Sequence, residues 1–411
     1  MVERKIYMDK INSFINQDLI KIITGIRRSG KSYFFKLIIN ELLNQGVNEQ
    51  DILLVDLELP QYNSIKTNKQ LDEVVLKFIE KHTNKVYLFF DEIQNVKDWE
   101  ISINSYYKLP NTEIFITGSN SKLLSKELAT YLTGRYVSIE MYPFSFNEFL
   151  DYKKELNDTP LINNELNSEL ENYFEEYISY GGLPVTIASK NHKEILLNDL
   201  FSSIILHDLV ERHEIRNIGL FNRIIKFLIE NIGNLISAHS VYVYLKHDKL
   251  NIAKQTIYNY LEYLEEAYIL SKITREDLIG KKEITGSEKY YLIDLGFYKS
   301  QLEEKQQNIG HILENIVYLE LIRQGYKVTI GTFGDLEIDF VCRKDSKKIY
   351  VQVSYLLNDE NTREREFKPL LKITDNYPKY ILSMDKMDLS KEGIEHINII
   401  HFLRNPEILT R

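Results

Sequence analysis

The chain has only one cysteine, no long apolar run and no excess of positive charge. The single cysteine, Cys342, excludes an intramolecular disulfide and suits a reducing compartment. No segment approaches the roughly 18 uninterrupted apolar residues of a membrane span, and residues 1–9 carry no apolar signal-peptide core. The formal net charge of −9 argues against a protein that coats nucleic acid through its overall charge. These absences predict a cytoplasmic protein without a membrane partner, in which any DNA contact comes from a local patch.

The glycine-rich octapeptide at residues 25–32 is the most specific pattern in the chain. It follows the apolar run Leu19–Ile23 and precedes Tyr33–Ile39, so the expected order is strand, loop and helix. Such a loop turns backbone N–H groups around a phosphate, whereas a glycine-rich turn without this context can be only a turn. Lys31 is predicted to bridge the β- and γ-phosphates of ATP, and Ser32 to ligate Mg²⁺. The predicted nucleotide-binding residues are Gly25, Ile26, Arg27, Arg28, Ser29, Gly30, Lys31 and Ser32.

Two acidic residues, Asp91 and Glu92, follow a second apolar strand, Val86–Phe90. Acidic residues after a strand are common in loops, but together with a phosphate-binding loop they predict a hydrolytic site. Asp91 is predicted to complete the Mg²⁺ shell, and Glu92 to orient or deprotonate the attacking water.

A third strand, Glu113–Thr117, ends in a polar turn. Ser119 and Asn120 of this turn are candidates for contact with the γ-phosphate or the water, because they follow a strand expected beside the two acidic residues. Gly-Ser-Asn-Ser is also ordinary turn chemistry, which is the plain alternative.

Three arginines raise the question of transition-state stabilisation. Arg135, expected after a helix over Lys122–Ala129, is predicted to contact the γ-phosphate within the chain or from a neighbouring subunit. A surface ion pair is the alternative. Arg27 and Arg28 inside the loop have the same open roles: phosphate contact, subunit contact or solvated charge.

Residues 25–32, 89–94, 117–121, 133–136, 143–149 and 180–184 together resemble the AAA+-like ATPases of bacteria and archaea that carry an uncharacterised C-terminal domain. The resemblance covers nearly the whole chain and implies an ATPase module related to AAA+ and signal-transduction ATPases, joined to a DNA-binding-like and nuclease-like half. The expected fold is α/β, with a P-loop NTPase parallel sheet, a helical and winged-helix segment, and a C-terminal α/β restriction-endonuclease-like domain.

A chain of 411 residues corresponds to roughly two to four domains. Residues 151–176 are rich in Asn, Glu and Lys and are expected to form a solvated loop or insertion. The predicted domains are an AAA+-like ATPase core over 1–150, a linker and helical lid-like segment over 151–219, a winged-helix-like domain over 220–300 and a degenerate restriction-endonuclease-like domain over 301–411.

The segment after residue 236 has the pattern of a winged helix. Ser237–Leu245 is predicted as a first helix and Ala253–Ala267 as a second, with Ile269–Ile273 and Tyr290–Ile293 as the strands of the wing. Basic and acidic residues over 237–275 nearly balance, whereas a DNA reader usually has a clear excess of cations. DNA and a protein both remain predicted partners. The candidate recognition residues are Lys254, Gln255, Thr256, Tyr258 and Asn259.

The C-terminal segment carries a second group of polar residues. Glu314 lies in a predicted helix, and Asp339 and Gln352 lie on the two arms of a predicted hairpin, an order that resembles the restriction-endonuclease-like nuclease core. In that core, acidic and amide side chains hold a divalent metal and a lysine positions the attacking water. Because Ser354 occupies the lysine position here, we predict that the fold persists and that cleavage is lost. The nearest lysines along the following helix are Lys368 and Lys372.

The sequence thus predicts an ATPase that binds ATP and Mg²⁺ and is coupled to a C-terminal DNA- or protein-binding module. Two alternatives stay open. One is a nucleotide-regulated DNA-binding switch or scaffold with little turnover, and the other is an ATP-gated, metal-dependent nuclease. The oligomeric state also stays open, because Arg135 could act within one chain or between chains.

Overall fold

Two units make up the chain. A computed structural model describes residues 2–121, 132–157, 167–247, 250, 252–280, 282–302 and 308–410. The N-terminal unit comprises residues 1–143 and 266–268, and the C-terminal unit comprises residues 144–265 and 269–411. The boundary predicted at residue 150 lies close to the first division. The boundaries predicted at 219 and 300 fall inside the C-terminal unit, so they do not separate compact units.

The N-terminal unit is built on a parallel sheet. Its strands are β1 (Ile20–Thr24), β2 (Ile52–Asp56), β3 (Val86–Asp91), β4 (Thr112–Gly118) and β5 (Tyr136–Glu140). They lie in the order β2-β3-β4-β1-β5, and every neighbouring pair is parallel. Every residue of β1 and β3 is buried, as expected for apolar strands covered on both faces. The parallel direction places the carboxyl ends of all five strands at one edge of the sheet.

Helices pack on both faces of this sheet. The described helices are α1 (Lys5–Asn12), α2 (Lys31–Asn44), α3 (Asn68–Ile79) and α4 (Trp99–Tyr107). Phe35 of α2 meets the ring of Phe89 edge-on at 5.0 Å, and Phe89 stacks on Phe115 at 4.5 Å. These contacts fix α2, and with it the loop before it, against the sheet. The helix predicted over Lys122–Ala129 lies outside the described residues.

The first half of the C-terminal unit is helical. Residues 151–176, predicted as a solvated loop, instead belong largely to two helices, apart from 158–166, which lie outside the described residues. Contacts between aromatic rings stabilise these helices despite their polar composition. Phe146 packs on Phe174 at 5.8 Å, and Phe149 packs on Tyr177 at 5.2 Å. Across the described residues, no helix is both long enough and apolar enough to cross a bilayer. The helices of this unit are α5 (Phe146–Asn157), α6 (Ser168–Tyr180), α7 (Pro184–Ala188), α8 (Lys193–Ser203), α9 (Ile218–Glu230), α10 (Ala238–His247), α11 (Lys254–Glu266), α12 (Gly296–Gln301), α13 (Ile309–Arg323), α14 (Glu360–Lys372) and α15 (Ile399–Arg404).

A buried carboxylate holds the turn between α6 and α7. Asp294 accepts hydrogen bonds from the backbone N–H of Gly182 at 2.7 Å and of Gly296 at 2.9 Å. Gly181 has a φ of 75°, and a Cβ at that position would lie 1.8 Å from Asp294 Oδ1, so only glycine fits. Burial raises the pKa of Asp294 to about 7, although the backbone N–H groups act in the opposite direction. The glycine pair therefore has a structural role in this unit.

The predicted wing and the predicted endonuclease-like domain share one sheet of eight strands. Its strands are β6 (Leu235–Ile236), β7 (Leu270–Asp277), β8 (Lys282–Leu292), β9 (Lys327–Phe333), β10 (Leu336–Lys344), β11 (Lys347–Val353), β12 (Lys379–Ser383) and β13 (Ile394–Asn398). They lie in the order β13-β12-β11-β10-β9-β7-β8-β6. Wing strand β7 pairs in parallel with β9, with Arg275 opposite Ile330. This pairing covers a sheet edge that two separate domains would leave exposed, which explains why the boundary predicted at 300 is not a division.

Candidate nucleotide-binding site

The glycine loop connects β1 to α2, as the sequence predicts. Gly25 has a φ of 150° and Gly30, at the start of α2, a φ of 99°, conformations that glycine adopts without strain. A Cβ at Gly25 would lie only 2.1 Å from the carbonyl oxygen of Met141, so the close approach of the loop to the residue after β5 also requires glycine. The loop therefore has a local geometry that its glycines make possible.

Lys31 is buried inside this loop. Its Nζ donates to the carbonyl oxygens of Gly25 at 3.0 Å and Ile26 at 3.1 Å, and it lies 3.5 Å from Glu92 Oε1. Only 3% of the residue is exposed, so its charge is held where the loop would close around a phosphate. The structure thus brings together the lysine and one of the acidic residues that the sequence proposes.

Asp91 lies at the carboxyl end of β3, within reach of the Ser32 hydroxyl. Burial raises the pKa of Asp91, and the charges of Glu92 and Asp56 add to this rise, while the hydroxyls of Ser32 and Thr117 lower it. A buried carboxylate of this kind gains stability from a nearby cation. Asp91 and Ser32, the two predicted Mg²⁺ ligands, therefore fit that role in both position and chemistry.

Thr117, the penultimate residue of β4, organises both acidic residues. Its hydroxyl donates to Asp91 Oδ1 and accepts a 2.9 Å hydrogen bond from the backbone N–H of Glu92. The sequence gives Thr117 no role, because a threonine inside an apolar strand looks like an ordinary strand residue. The one sequence feature that could indicate this role is the position of Thr117 in a strand expected to lie beside Asp91.

Glu92 turns away from the strand with a φ of 53°. Its carboxylate accepts a hydrogen bond from Gln94, whose side chain also donates to Ser119 Oγ at 3.3 Å. Burial favours a higher pKa for Glu92, but Lys31, Gln94 and Ser119 outweigh it and lower the pKa below its ordinary value. Glu92 is therefore ionised at neutral pH and able to accept a proton.

Ser119 and Asn120 lie at the same edge of the sheet. Both follow β4, whose Gly118 pairs with Thr24 at the end of β1, and both are buried. Ser119 is connected to Glu92 through Gln94. The structure thus places both residues at the sheet edge where the acidic pair lies, and their contact with phosphate or water remains a prediction.

The loop arginines and a residue upstream differ in their surroundings. Arg27 donates to Glu58 Oε1 at 3.2 Å, whereas Arg28 has a φ of 67° and is exposed. Arg4 is buried, and its guanidinium donates to the carbonyl oxygens of Ser29 at 3.4 Å and Tyr142 at 2.6 Å. Arg4 thereby ties the loop to the segment after β5, a role that no local sequence pattern indicates.

Arg135 lies at the opposite edge of the sheet. Its carbonyl oxygen accepts a 2.8 Å hydrogen bond from the N–H of Ile20, the first residue of β1, whereas the loop follows the last residue of β1. At about 3.3 Å per strand residue, this separates Arg135 from the loop by the length of β1. Its side chain donates to Asn104 Oδ1 at 2.7 Å and lies 5.5 Å from the Tyr107 ring centroid. The prediction that Arg135 contacts phosphate within one chain is therefore wrong. The prediction of a contact from a neighbouring subunit stays open.

Comparison with known proteins finds matches to both parts of this chain. An AAA domain matches residues 17–150, and a domain of unknown function matches residues 171–308. An uncharacterized protein of Haemophilus influenzae is 35% identical over 405 residues, which cover 98% of this chain and 98% of that protein. The chain belongs to the same family. A second member, an uncharacterized protein of Methanocaldococcus jannaschii, is 33% identical and is matched over 97% of this chain and 92% of its own length.

The predicted AAA+-like character of the N-terminal unit is confirmed at the level of fold. The AAA-domain match and the five-stranded parallel sheet both support it. The Walker-type ATPase of Pyrococcus abyssi is similar over 73% of this chain and 94% of that chain, with 17% identity and a TM-score of 0.49. In the C-terminal unit the family match is to a domain of unknown function, so the winged-helix and endonuclease-like descriptions remain predictions.

The structure brings two of the three predicted nuclease residues to a lysine that the sequence does not single out. Lys289 of β8 lies with its Nζ 2.8 Å from Glu314 Oε1, 2.8 Å from Glu337 Oε1 and 3.8 Å from Asp339 Oδ1. Burial lowers the pKa of Lys289, but these carboxylates outweigh it and raise the pKa above its ordinary value. Lys368 and Lys372, the nearest lysines along the following helix, line a groove along α14 instead.

The residues of this cluster do not form a metal site. Gln352, the third predicted nuclease residue, accepts a 3.2 Å hydrogen bond from Asp339 N and donates to Glu366 Oε2 at 3.0 Å. Burial and the charge of Glu314 raise the pKa of Asp339 well above its ordinary value, although Lys289 acts against this. Among the residues that the structure describes, no three His, Cys, Asp or Glu side chains are arranged to hold a metal ion. The predicted nuclease ligands therefore do not fit a divalent cation in this arrangement.

Proposed function

We propose that this protein binds ATP together with Mg²⁺ at residues 25–32 and hydrolyses it. The observation that carries the proposal is the convergence of a buried lysine and two buried carboxylates at the loop edge of a parallel sheet. Lys31 lies 3.5 Å from Glu92, and Asp91 lies beside the Ser32 hydroxyl. Cation, metal ligands and proton acceptor are the groups that phosphoryl transfer to water requires.

Each residue has a role that follows from its surroundings. Lys31 would exchange its bonds to loop carbonyl oxygens for bonds to phosphate oxygens, which are better acceptors because they are charged. Ser32 and Asp91 would hold Mg²⁺, which supplies positive charge against the charge that develops on the phosphoryl group. Glu92 would accept a proton from the attacking water, and Thr117 would keep the two carboxylates in register.

Replacing the loop lysine tests nucleotide binding. Lys31→Ala removes charge-assisted hydrogen bonds to phosphate, and we expect ATP affinity to fall by roughly 100-fold or more. Binding of a fluorescent ATP analogue measures the effect. Lys36→Ala is the matched control, because Lys36 lies on the same helix with an exposed side chain. Wild-type affinity in the folded Lys31→Ala variant would reject the site.

A second proposed activity is DNA binding by α11 of the C-terminal unit. The helix keeps Ile257 and Leu264 buried, while Lys254, Gln255 and Tyr258 are exposed, Tyr258 by 54%. An exposed row of basic, amide and aromatic side chains on a helix suits contact with a major groove. This exposure favours DNA over a purely structural role for the helix.

Two measurements separate the remaining alternatives. Lys254→Ala should weaken binding of a double-stranded DNA probe, and this loss should shrink at high salt, whereas Lys226→Ala on α9 should leave binding unchanged. Steady-state phosphate release with and without the same DNA separates a DNA-coupled ATPase from a nucleotide-regulated switch with little turnover. Phosphate release that stays negligible in both conditions, with ATP binding intact, would favour the switch.

A further inference from the structure

The cluster around Lys289 joins three elements of the C-terminal unit. Lys289 lies on β8, Glu314 on α13, and Glu337 and Asp339 on β10. Lys289 is 4% exposed, so its ammonium is effectively withdrawn from water. Its Nζ donates a 2.8 Å hydrogen bond to Glu314 Oε1 and forms ion pairs with Glu337 at 2.8 Å and Asp339 at 3.8 Å.

Several oxygen atoms of this cluster accept hydrogen bonds from the chain. Glu314 Oε1 accepts from the hydroxyl of Tyr291 as well as from Lys289. Asp339 Oδ2 accepts a 2.9 Å hydrogen bond from the backbone N–H of Val353. Gln352 directs its side-chain oxygen to the backbone N–H of Asp339. These hydrogen bonds hold the carboxylates in place around the Lys289 ammonium.

The charge of Lys289 also opposes a metal. A divalent cation bound to Glu314 and Asp339 would lie within a few ångströms of the ammonium, and like charges repel strongly when both are removed from water. Lys289 already supplies a cation between the carboxylates that would attract a metal.

We infer that the Lys289 ammonium takes the place of the divalent cation in the endonuclease-like core, so that this core holds its carboxylates together without a metal. The inference does not depend on the ATPase proposal. It makes Lys289 a structural cation that ties strand β8 to α13 and β10. It also gives a physical reason, separate from Ser354, for the predicted loss of cleavage in this unit.

Manganese binding to the full-length, nucleotide-free protein tests this inference. Electron paramagnetic resonance counts bound Mn²⁺ in the wild type, Asp339→Asn, Lys289→Gln and the Lys289→Gln/Asp339→Asn double variant. We expect the wild type and Asp339→Asn to bind equally, so that any Mn²⁺ at the nucleotide site cancels. Lys289→Gln should bind one additional Mn²⁺ ion, and Asp339→Asn should abolish that gain. Lys282→Gln, which removes an exposed lysine of the same strand, should gain nothing.

Each other outcome counts against the inference. Mn²⁺ binding by the wild type that depends on Asp339 would show that the metal site coexists with Lys289. Mn²⁺-dependent DNA cleavage lost in Asp339→Asn would show the same and make Lys289 a lysine of a working nuclease. A folded Lys289→Gln that gains no site would show that the cluster has no capacity for a metal. If Lys289→Gln does not fold, Lys289→Met, which keeps the length of the side chain, serves in its place, and the wild-type and Asp339→Asn pair remains decisive.

Discussion

Lys31 in the N-terminal unit and Lys289 in the C-terminal unit both lie beside buried carboxylates, and their partners differ in charge. In the N-terminal unit, Lys31 donates to the neutral carbonyl oxygens of Gly25 and Ile26 and approaches a single carboxylate at 3.5 Å. In the C-terminal unit, Lys289 has two carboxylates at 2.8 Å and a third at 3.8 Å. A lysine held mainly by neutral acceptors can exchange them for an anion, whereas one enclosed by carboxylates is already neutralised. We therefore propose that similar residue types form a ligand site in one unit and a structural cluster in the other.

Removing one carboxylate from each unit gives the strongest test of this difference. Glu92→Gln should lower ATP hydrolysis by roughly 100-fold or more while ATP binding persists, because the proton acceptor is lost. Glu337→Gln, beside Lys289, should leave hydrolysis unchanged. Steady-state phosphate release and analogue binding measure the two effects. Normal hydrolysis by Glu92→Gln would reject Glu92 as the base.

The buried carboxylate of Asp294 sharpens the comparison, because backbone N–H groups hold it rather than a lysine. Burial raises the pKa of Asp294 from 3.8 to about 7. The folded state therefore favours the protonated form, and this contribution to stability is complete below about pH 4 and is lost as the pH rises toward 7. Relative to Asp294→Asn, which cannot ionise, the wild type should lose on the order of a few kcal/mol of unfolding free energy across that range.

Denaturant unfolding at a series of pH values measures the Asp294 effect. Asp335→Asn is the control, since it removes an exposed carboxylate of the same unit and should follow the wild type at every pH. Parallel stability profiles for the wild type and Asp294→Asn would contradict the raised pKa.

Removing the Thr117 hydroxyl should have a smaller effect on ATP hydrolysis. Thr117→Val keeps the side-chain shape but removes the bonds to Asp91 and to the N–H of Glu92, so we expect hydrolysis to fall by about 10-fold. Thr112→Val is the control at the amino end of the same strand, where the threonine hydroxyl bonds only to the carbonyl oxygens of Tyr106 and Leu109. Equal rates in the two variants would remove Thr117 from the site.

Local patterns predict which segments meet at the loop edge of the parallel sheet, because the proposed nucleotide site consists mainly of short segments. Residues 25–32 and the pair Asp91 and Glu92 each follow an apolar strand, and the parallel sheet brings the ends of those strands together. Thr117 and Arg4 escape prediction because their roles depend on contacts with residues far away in sequence. Local information thus predicts which segments form the site but not what supports them.

The C-terminal unit is harder to predict for the same reason. The pairing of β7 with β9 merges two predicted domains, and no pattern within either segment indicates it. Lys289 reaches the predicted nuclease residues from β8, a strand that the sequence assigns to the wing. Arg135 directly precedes β5, and a residue that precedes a parallel strand lies at the edge opposite the loops that follow the strands.

The position of Arg135 leads to the smallest expected effect. Its side chain contacts Asn104 and Tyr107 at the amino edge of the sheet, so Arg135→Ala should change hydrolysis by less than about twofold when the chains are dilute. Rates per chain, measured over a range of protein concentrations, test this. If a neighbouring subunit supplies Arg135, the wild-type rate should rise with concentration and the Arg135→Ala rate should not. Mixing Arg135→Ala with Lys31→Ala would then restore activity, because one variant keeps the loop and the other keeps the arginine.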